Sequence, residues 1–462
     1  MCNVLKREPG FYKRLFYLSL PMMMQNLITF SLGLIDTFMV SQLGNEEMAA
    51  VTTANVPVFI LISIIFGVQS GLGILISQYW GKGDVKSISR ILGVSCMIGG
   101  GMTLILAVVF FLFPVQVMDL LSNRHDLSVM GAPYLQVIGF AFVFNMLSSI
   151  YASAQRSVEN PNFGMKLFGF STILNTGLNY LLIFGHWGFP ALGVAGAAIA
   201  TLLARVSEFV ICVFCALRSK TIPLEIPLFL RPGTDMVRRF LKYASPVVLN
   251  EAVWGMGNSM LTVVLGYTEN SVEMLAANAV MGNLSRLFLV ICFGLGAATA
   301  VITGKAIGEG QSRKTVMDLS WTLFWFSMLV GAVLSVISLL CVPFLFVPVI
   351  FPLFKLFGES AHIAMALAVM SFGFIPFHAA SITSITGVLR SGGDVVFSTV
   401  LDVAPLWLVG VTSTALTALV LKTGIWPIAF CIQLENLVKF PFCVWRMASG
   451  KWINDVTEGG GK

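Results

Sequence analysis

The sequence predicts an all-α polytopic membrane protein with twelve transmembrane helices in two six-helix lobes related by an internal repeat. Three observations carry this. Of 462 residues, 57% are hydrophobic and only 11% charged, against about 45–50% and about 25% in an ordinary soluble domain. The apolar residues gather into stretches of about 20, the length a helix needs to cross a bilayer. The second half of the chain also repeats the first. Mean hydropathy is +0.88, and no stretch is polar enough to cover a soluble domain. A soluble enzyme, a disordered scaffold and a secreted disulfide protein are excluded.

The predicted spans are 16–40, 51–77, 91–113, 133–154, 167–185, 191–216, 244–266, 277–303, 318–341, 362–388, 396–419 and 424–445. Lys6, Arg7, Lys13 and Arg14 precede the first, as in a signal peptide. That stretch is longer than a signal core and carries Pro21 and Asp36, so it reads as a span. The positive-inside rule sets the orientation. With the N-terminus inside, 22 of the 28 Lys and Arg fall in cytoplasmic segments. Arg124, Lys355 and Lys422 fall outside, and Arg205, Arg286 and Lys439 lie within spans. External loops hold Glu46, Glu47, Glu269 and Glu273. Both termini are therefore expected in the cytoplasm and the chain in the cell membrane. The net charge of +6 follows this rule and is not a nucleic-acid signature. Seven of the eight Cys, including the Cys212–Cys215 pair inside span six, lie in apolar runs, where Cys acts as a small hydrophobe.

The repeat has a period near 227 residues. Phe66 and Gly67 with Gly81 and Gly83 match Phe293 and Gly294 with Gly308 and Gly310. Phe170 to Asn175 (FSTILN) matches Phe397 to Asp402 (FSTVLD). Lys13, Arg14 and Leu15 lead to Pro21 as Arg238, Arg239 and Phe240 lead to Pro246. Each half holds an even number of spans, so both insert the same way round, one of the transporter arrangements. The expected organisation is an N-lobe of helices 1–6 over 1–216, a cytoplasmic linker over 217–243, and a C-lobe of helices 7–12 over 244–462. Phe11 to Leu18 and Asp235 to Tyr243 read as short amphipathic interfacial helices. Two such lobes suit alternating access.

An ionisable residue mid-membrane costs about 2.5–3.5 kcal/mol on insertion scales, so it needs a partner, water or a purpose. Asp36 lies roughly 6 Å from the outer end of its span. Asn175 and Asn179 are one turn apart on span five and share a face. They lie roughly 12 and 18 Å from its cytoplasmic end, and Thr201 about 15 Å from the outer end of span six. An acid among amide and hydroxyl oxygens can hold a proton or a small hard cation such as Na+; the blander reading is hydrogen bonding between helices. In the second lobe, Glu251 lies roughly 10 Å into span seven and Asp402 about 9 Å into span eleven. His378 lies near 15 Å from the same side on span ten. The repeat sets Asp402 against Asn175 and Glu251 against Asn26. These acids with His378 form a candidate proton or substrate site.

The other buried charges have structural readings. Arg205 with Glu208, and Glu435 with Lys439, are at helix-neighbour spacing and can neutralise one another. Arg286 has no local partner, which leaves a tertiary one such as Glu251 or Asp402. The sequence contains no Walker motif, HExxH or GxSxG, so no catalytic residues and no cofactor are expected, and energy would come from an ion gradient or another subunit.

Several motifs then fall into one order. Ile35-Asp36-Thr37 runs to Leu43-Gly44, and Gly81-Lys82-Gly83-Asp84 follows span two. Leu174-Asn175 runs through Ile183-Phe184-Gly185, and Leu192 to Ala198 (LGVAGAA) leads to Thr201. Leu389-Arg390 with Asp394 closes span ten. Over about residues 15–445 the chain resembles the multidrug and toxic compound extrusion (MATE) family. The resemblance implies secondary active antiport of amphipathic, often cationic compounds against Na+ or H+. It implies an N-lobe cation site at Asp36, Asn175, Asn179 and Thr201. Some branches of the family carry aspartate at the position of Asn179, so one negative charge is missing here. Glu251 matches an acid used by other branches, whereas the acid those branches place early in span ten is replaced by His378 and Ala379. The coupling ion stays open.

Partners expected are small amphipathic or cationic substrates and membrane lipid, with no nucleic acid and no obligatory protein partner. The alternative function is a flippase for a lipid-linked or polysaccharide precursor, which a large cationic groove would favour; only Arg205, Arg286 and Lys439 lie within the spans. A membrane-embedded enzyme would need clustered His and acids at one membrane face, and His378 is the one buried candidate.

Overall fold

The computed structural model describes residues 7–120 and 124–457, and among these there is no strand. All twelve predicted spans are helices. They are α1 Pro9–Ser41, α2 Asn45–Lys82, α3 Val85–Leu112, α4 His125–Ser157, α5 Pro161–Phe184 and α6 Gly193–Arg218. The second set is α7 Thr234–Gly266, α8 Ser271–Gly308, α9 Arg313–Leu353, α10 as the pair Glu359–Gly373 and Ile375–Leu389, α11 Val395–Val420 and α12 Ile425–Ser449. Short helices Pro114–Asp119 and Ile226–Leu230 lie in connections. Leucine, isoleucine and phenylalanine cover much of the outer faces: Phe38, Ile105, Ile173, Phe214 and Leu408 are all exposed. An exposed apolar surface of this extent is what lipid, rather than water, solvates.

Two segments differ from the sequence expectation. Phe11 to Leu18 and Asp235 to Tyr243 are not separate interfacial helices; they are the first turns of α1 and α7, which continue through Pro21 and Pro246. A proline removes one backbone donor, but membrane helices accept this where neighbouring helices, side chains or a local change of turn re-satisfy the freed backbone group. Packing supplies the other reason. Leu15, Leu18 and Met22 are buried against Ala298, Val301 and Leu323, and Phe240 is equally enclosed.

The chain divides into two compact units. One is Met24–Glu251; the other joins Met1–Met23 to Ala252–Lys462, of which residues 7–23 and 252–457 are described. α1 and α7 thus each start in one unit and finish in the other. Within the first unit, Gly67 on α2 lies against the backbone of Val248 on α7, and Gly71 against Ala244. Within the second, Gly294 on α8 lies against Met23 on α1. Small residues let helix backbones approach this closely. Gly67 and Gly294 are repeat-matched, and Val248 and Met23 each stand two residues after their repeat-matched proline.

Irregular turns concentrate in the second repeat. Among the described residues, wide π-type turns occur at Val342–Ile350, Thr383–Leu389, Leu406–Val411 and Leu416–Val420. The first contains Pro343 and Pro348, and the third follows Pro405, so a lost proline donor accompanies two of them. α10 bends by 48° between Gly373 and Ile375. The connection after α6 is anchored: Ile222 is buried, Ser89 Oγ donates to the Pro223 carbonyl at 2.8 Å, and Gly93 leaves room for the Phe229 carbonyl. After α12, the fully buried Trp452 covers Gly392, and Asn454 N donates to the Gly392 carbonyl at 2.9 Å.

Candidate cation site and buried charge network

The candidate site of the first repeat is built by close approach of α5 and α6. Gly196 leaves no room for a side chain beside the Leu182 carbonyl, and Ala197, Ala198 and Ala200 on the same helix are buried. The turn between them is fixed by Gly185, whose φ of 73° is left-handed, a conformation glycine takes without strain. This approach places Thr201 against the Asn175–Asn179 face of α5.

The result is a directed hydrogen-bond chain. Thr201 Oγ1 donates to the Ala197 carbonyl at 3.0 Å. Asn175 Nδ2 donates to Thr201 Oγ1 at 3.2 Å, and Asn179 Nδ2 donates to Asn175 Oδ1 at 3.1 Å. Asn179 Nδ2 also donates to Asp36 Oδ1 on α1 at 2.6 Å. Asn175 and Asn179 are buried, while Asp36 is half-buried. The NH2 group of Asn179 therefore serves two oxygens, and its own buried Oδ1 has no partner. A buried acceptor without a donor is uncommon and calls for an explanation. The site has more acceptor capacity than donors, and it carries a carboxylate. A cation, a proton or a hydrogen-bond donor meets that excess; an anion does not. Tyr134 on α4 lies within electrostatic reach of Asp36 and donates to Asn55 Oδ1 at 3.4 Å. Neither residue stood out in the sequence, because a Tyr in an apolar run carries no periodic signal.

Farther along α6, Arg205 and Glu208 form an ion pair at 2.5 Å. Ser148 on α4 donates to the other Glu208 oxygen at 3.2 Å. Glu208 is fully buried, and each of its carboxylate oxygens has a partner.

The second repeat holds a different arrangement. Asp402 on α11 accepts from Lys439 Nζ through Oδ1 and from Arg390 Nη2 through Oδ2, both at 3.3 Å. Lys439 also pairs with Glu435, one turn before it on α12, at 3.1 Å. Two cations and two carboxylates thus balance, and Arg390, Lys439 and Glu435 are all buried. Arg390 was not among the candidates, since its place just past span ten assigned it to the aqueous boundary. The wide turns over Thr383–Leu389 precede it, and they shift a helix's register relative to a regular count. His378 lies within electrostatic reach of Lys439 and Asp402. Glu251, the remaining predicted member, is half-buried and ends the other compact unit. Arg286 is exposed on α8, and no described residue of its own unit forms an ion pair with it.

A twelve-helix, two-repeat bundle with a buried acid and amide chain defines a multi-pass membrane transporter. The comparisons name the family. The MatE family model matches twice, at residues 21–181 and 246–416, and the chain belongs to that family of multidrug transporters. The two matches start 225 residues apart, one in each repeat. The chain is 24% identical to the probable multidrug resistance protein YoeA of Bacillus subtilis over 456 residues, 96% of each chain. It is 23% identical to the probable multidrug resistance protein NorM of Thermotoga maritima, covering 88% of this chain and 86% of that one. The fold is similar to that of a crystallised MATE protein in complex with MaL6, with a TM-score of 0.84 at 19% identity over 97% of this chain and 98% of that one. A similar likeness, TM-score 0.82 at 18% identity and the same coverage, holds to a MOP superfamily transporter of Pyrococcus furiosus described as having a binding pocket of reverse polarity.

Proposed function

We propose that the protein is a secondary active antiporter that exports amphipathic, often cationic drugs or metabolites in exchange for Na+ or H+ by alternating access. The observation that carries this is the Asp36–Asn179 pair, with a buried acceptor left over. A carboxylate beside unpaired oxygen is a site that binds and releases a small cation. Asp36, Asn175, Asn179 and Thr201 are its ligands or proton acceptor, and the exchanged ion is cargo rather than a resident cofactor. The multidrug names of the relatives support the substrate class. The pairing of Arg205, Arg390 and Lys439 with carboxylates, which leaves Arg286 as the one in-span cation without an ion pair among the described residues of its unit, also supports it over a flippase for anionic lipid-linked precursors, which a large cationic groove would favour. In the second repeat, Glu251 and His378 are the residues proposed to exchange a proton or contact substrate, while Asp402 is held by two cations. Distribution of Lys and Arg supports a cell-membrane protein with both termini in the cytoplasm.

The test is efflux in proteoliposomes with a Na+ gradient and a proton gradient imposed separately. One of the two must drive uphill movement of a lipophilic cation such as ethidium. If neither does, and an anionic lipid-linked sugar is translocated instead, the antiport reading is wrong.

A further inference from the structure

The Arg205–Glu208 pair lies within the sixth span, outside the hydrogen-bond chain that holds Asp36. A buried pair of this kind seldom stabilises a fold more than well-packed apolar residues would, so packing alone gives no reason for it. Its place on α6 does. Arg205 follows Thr201 by one turn, about 6 Å along the axis, and so shares a face with it. Thr201 is the α6 end of the chain that runs through Asn175 and Asn179 to Asp36. All of these residues belong to the compact unit Met24–Glu251.

The pair is held asymmetrically. Glu208 is fully buried, whereas the Arg205 side chain keeps 15% of its surface exposed. The bond to Glu208 Oε1 uses the Arg205 nitrogen Nη1, and Ser148 Oγ lies 3.2 Å from Oε2. Arg205 is within electrostatic reach of Asp36. Glu208 stands three residues farther from Thr201 along α6, so the two charges do not cancel at the Asp36 carboxylate. The other titratable groups beside this row are Tyr134, within reach of Asp36, and Cys212, within reach of Glu208; both are uncharged at neutral pH. A fixed positive charge beside a cation site opposes the ion that the site receives. An exchanger gains from this, because an ion held too tightly is not released.

We propose that Arg205 is a positioning residue that weakens cation or proton binding at Asp36, and that Glu208 limits this effect by drawing the guanidinium away. The proposal deepens the reading of Asp36 as the exchanged-ion site and rests on it. Removing the Arg205 charge tightens the site and slows release. Removing the Glu208 charge gives Asp36 a stronger competitor and loosens the site.

Ethidium efflux from proteoliposomes tests this, read as the concentration of Na+ or of protons, whichever drives it, that gives half the maximal rate. Arg205→Gln should lower that concentration about fivefold and reduce the maximal rate. Glu208→Gln should raise it, a shift of opposite sign that misfolding does not produce. Arg205→Gln combined with Glu208→Gln leaves no unpaired buried charge and should shift it in the direction of Arg205→Gln. Arg205→Lys should restore the wild-type value. Asp36→Asn separates the two readings. If that variant still couples efflux to the ion, Asp36 is not the ion site and both readings fail. If it is inactive while the Arg205 and Glu208 variants match the wild type in half-maximal concentration, the present proposal alone is overturned. Shifts of the same sign in both single variants, or Arg205→Lys behaving as Arg205→Gln, make the pair structural and overturn it as well.

Discussion

Asn179 holds Asp36 at 2.6 Å through its amide nitrogen and turns an unpartnered carbonyl oxygen into the same buried site. Asp36→Asn keeps the shape and removes the charge, so the bundle should fold while coupled efflux falls to the level of empty liposomes. Asn179→Ala removes one ligand and should weaken apparent ion affinity by about tenfold, with the maximal rate less affected. Efflux against ion concentration separates the two. Near-normal ion-driven transport by Asp36→Asn would assign coupling to another residue.

The glycine contacts predict stability rather than transport. A side chain at Gly67 meets the Val248 backbone, and one at Gly294 meets Met23. Gly67→Leu and Gly294→Leu should each destabilise by about 1–3 kcal/mol, the usual range for overpacking. Gly101, which has open space around it, provides the comparison: Gly101→Leu should leave the melting temperature in detergent within error of wild type. Equal melting temperatures for all three variants would show that these close approaches do not bear on stability.

The sequence made some of this legible and hid the rest for physical reasons. The meeting of Asn175, Asn179 and Thr201 follows from a one-turn spacing on α5 and from a run of small residues that brings α6 near. Asp36 was visible because the spans of the first repeat hold no other acid without a basic neighbour. The Arg390–Asp402 contact was not visible, since it joins the end of α10 to α11 through turns that depart from 3.6 residues. Nor was the division of α1 at Met23 and of α7 at Glu251. Pattern reading marks where a helix meets water, whereas which neighbours its two ends pack against is decided by tertiary contacts such as Gly67 with Val248.

Asp36 of the first repeat and Asp402 of the second should respond differently to loss of their charge. Asp402 balances Arg390 and Lys439, so Asp402→Asn leaves two buried cations facing Glu435 alone. Removing one partner of a buried pair costs about 3–5 kcal/mol, and the partial exposure of Asp402 places the expected loss at the low end, about 3 kcal/mol. The melting temperature should fall clearly for Asp402→Asn and little for Asp36→Asn. A stable but transport-dead Asp402→Asn would instead mark Asp402 as a coupling residue.

The last prediction concerns charge movement. If one monovalent cationic substrate leaves as one cation enters, net charge transfer is zero and the membrane potential does no work on the cycle. A second inward cation adds about 2.3 kcal/mol per 100 mV, together with its own concentration gradient. The first repeat offers Asp36 and the second offers Glu251, so two ions per cycle have places to ride. Export of a monovalent cation is therefore expected to be electrogenic, with net positive charge moving inward. Substrate-driven current on a solid-supported membrane measures this directly, as does voltage dependence in liposomes clamped with potassium and valinomycin. Glu251→Gln removes the second acid and should leave transport slower and electroneutral. Wild-type transport that ignores the imposed voltage would mean one ion per cycle, carried at Asp36 alone, and would leave Glu251 and His378 to substrate contact or to packing.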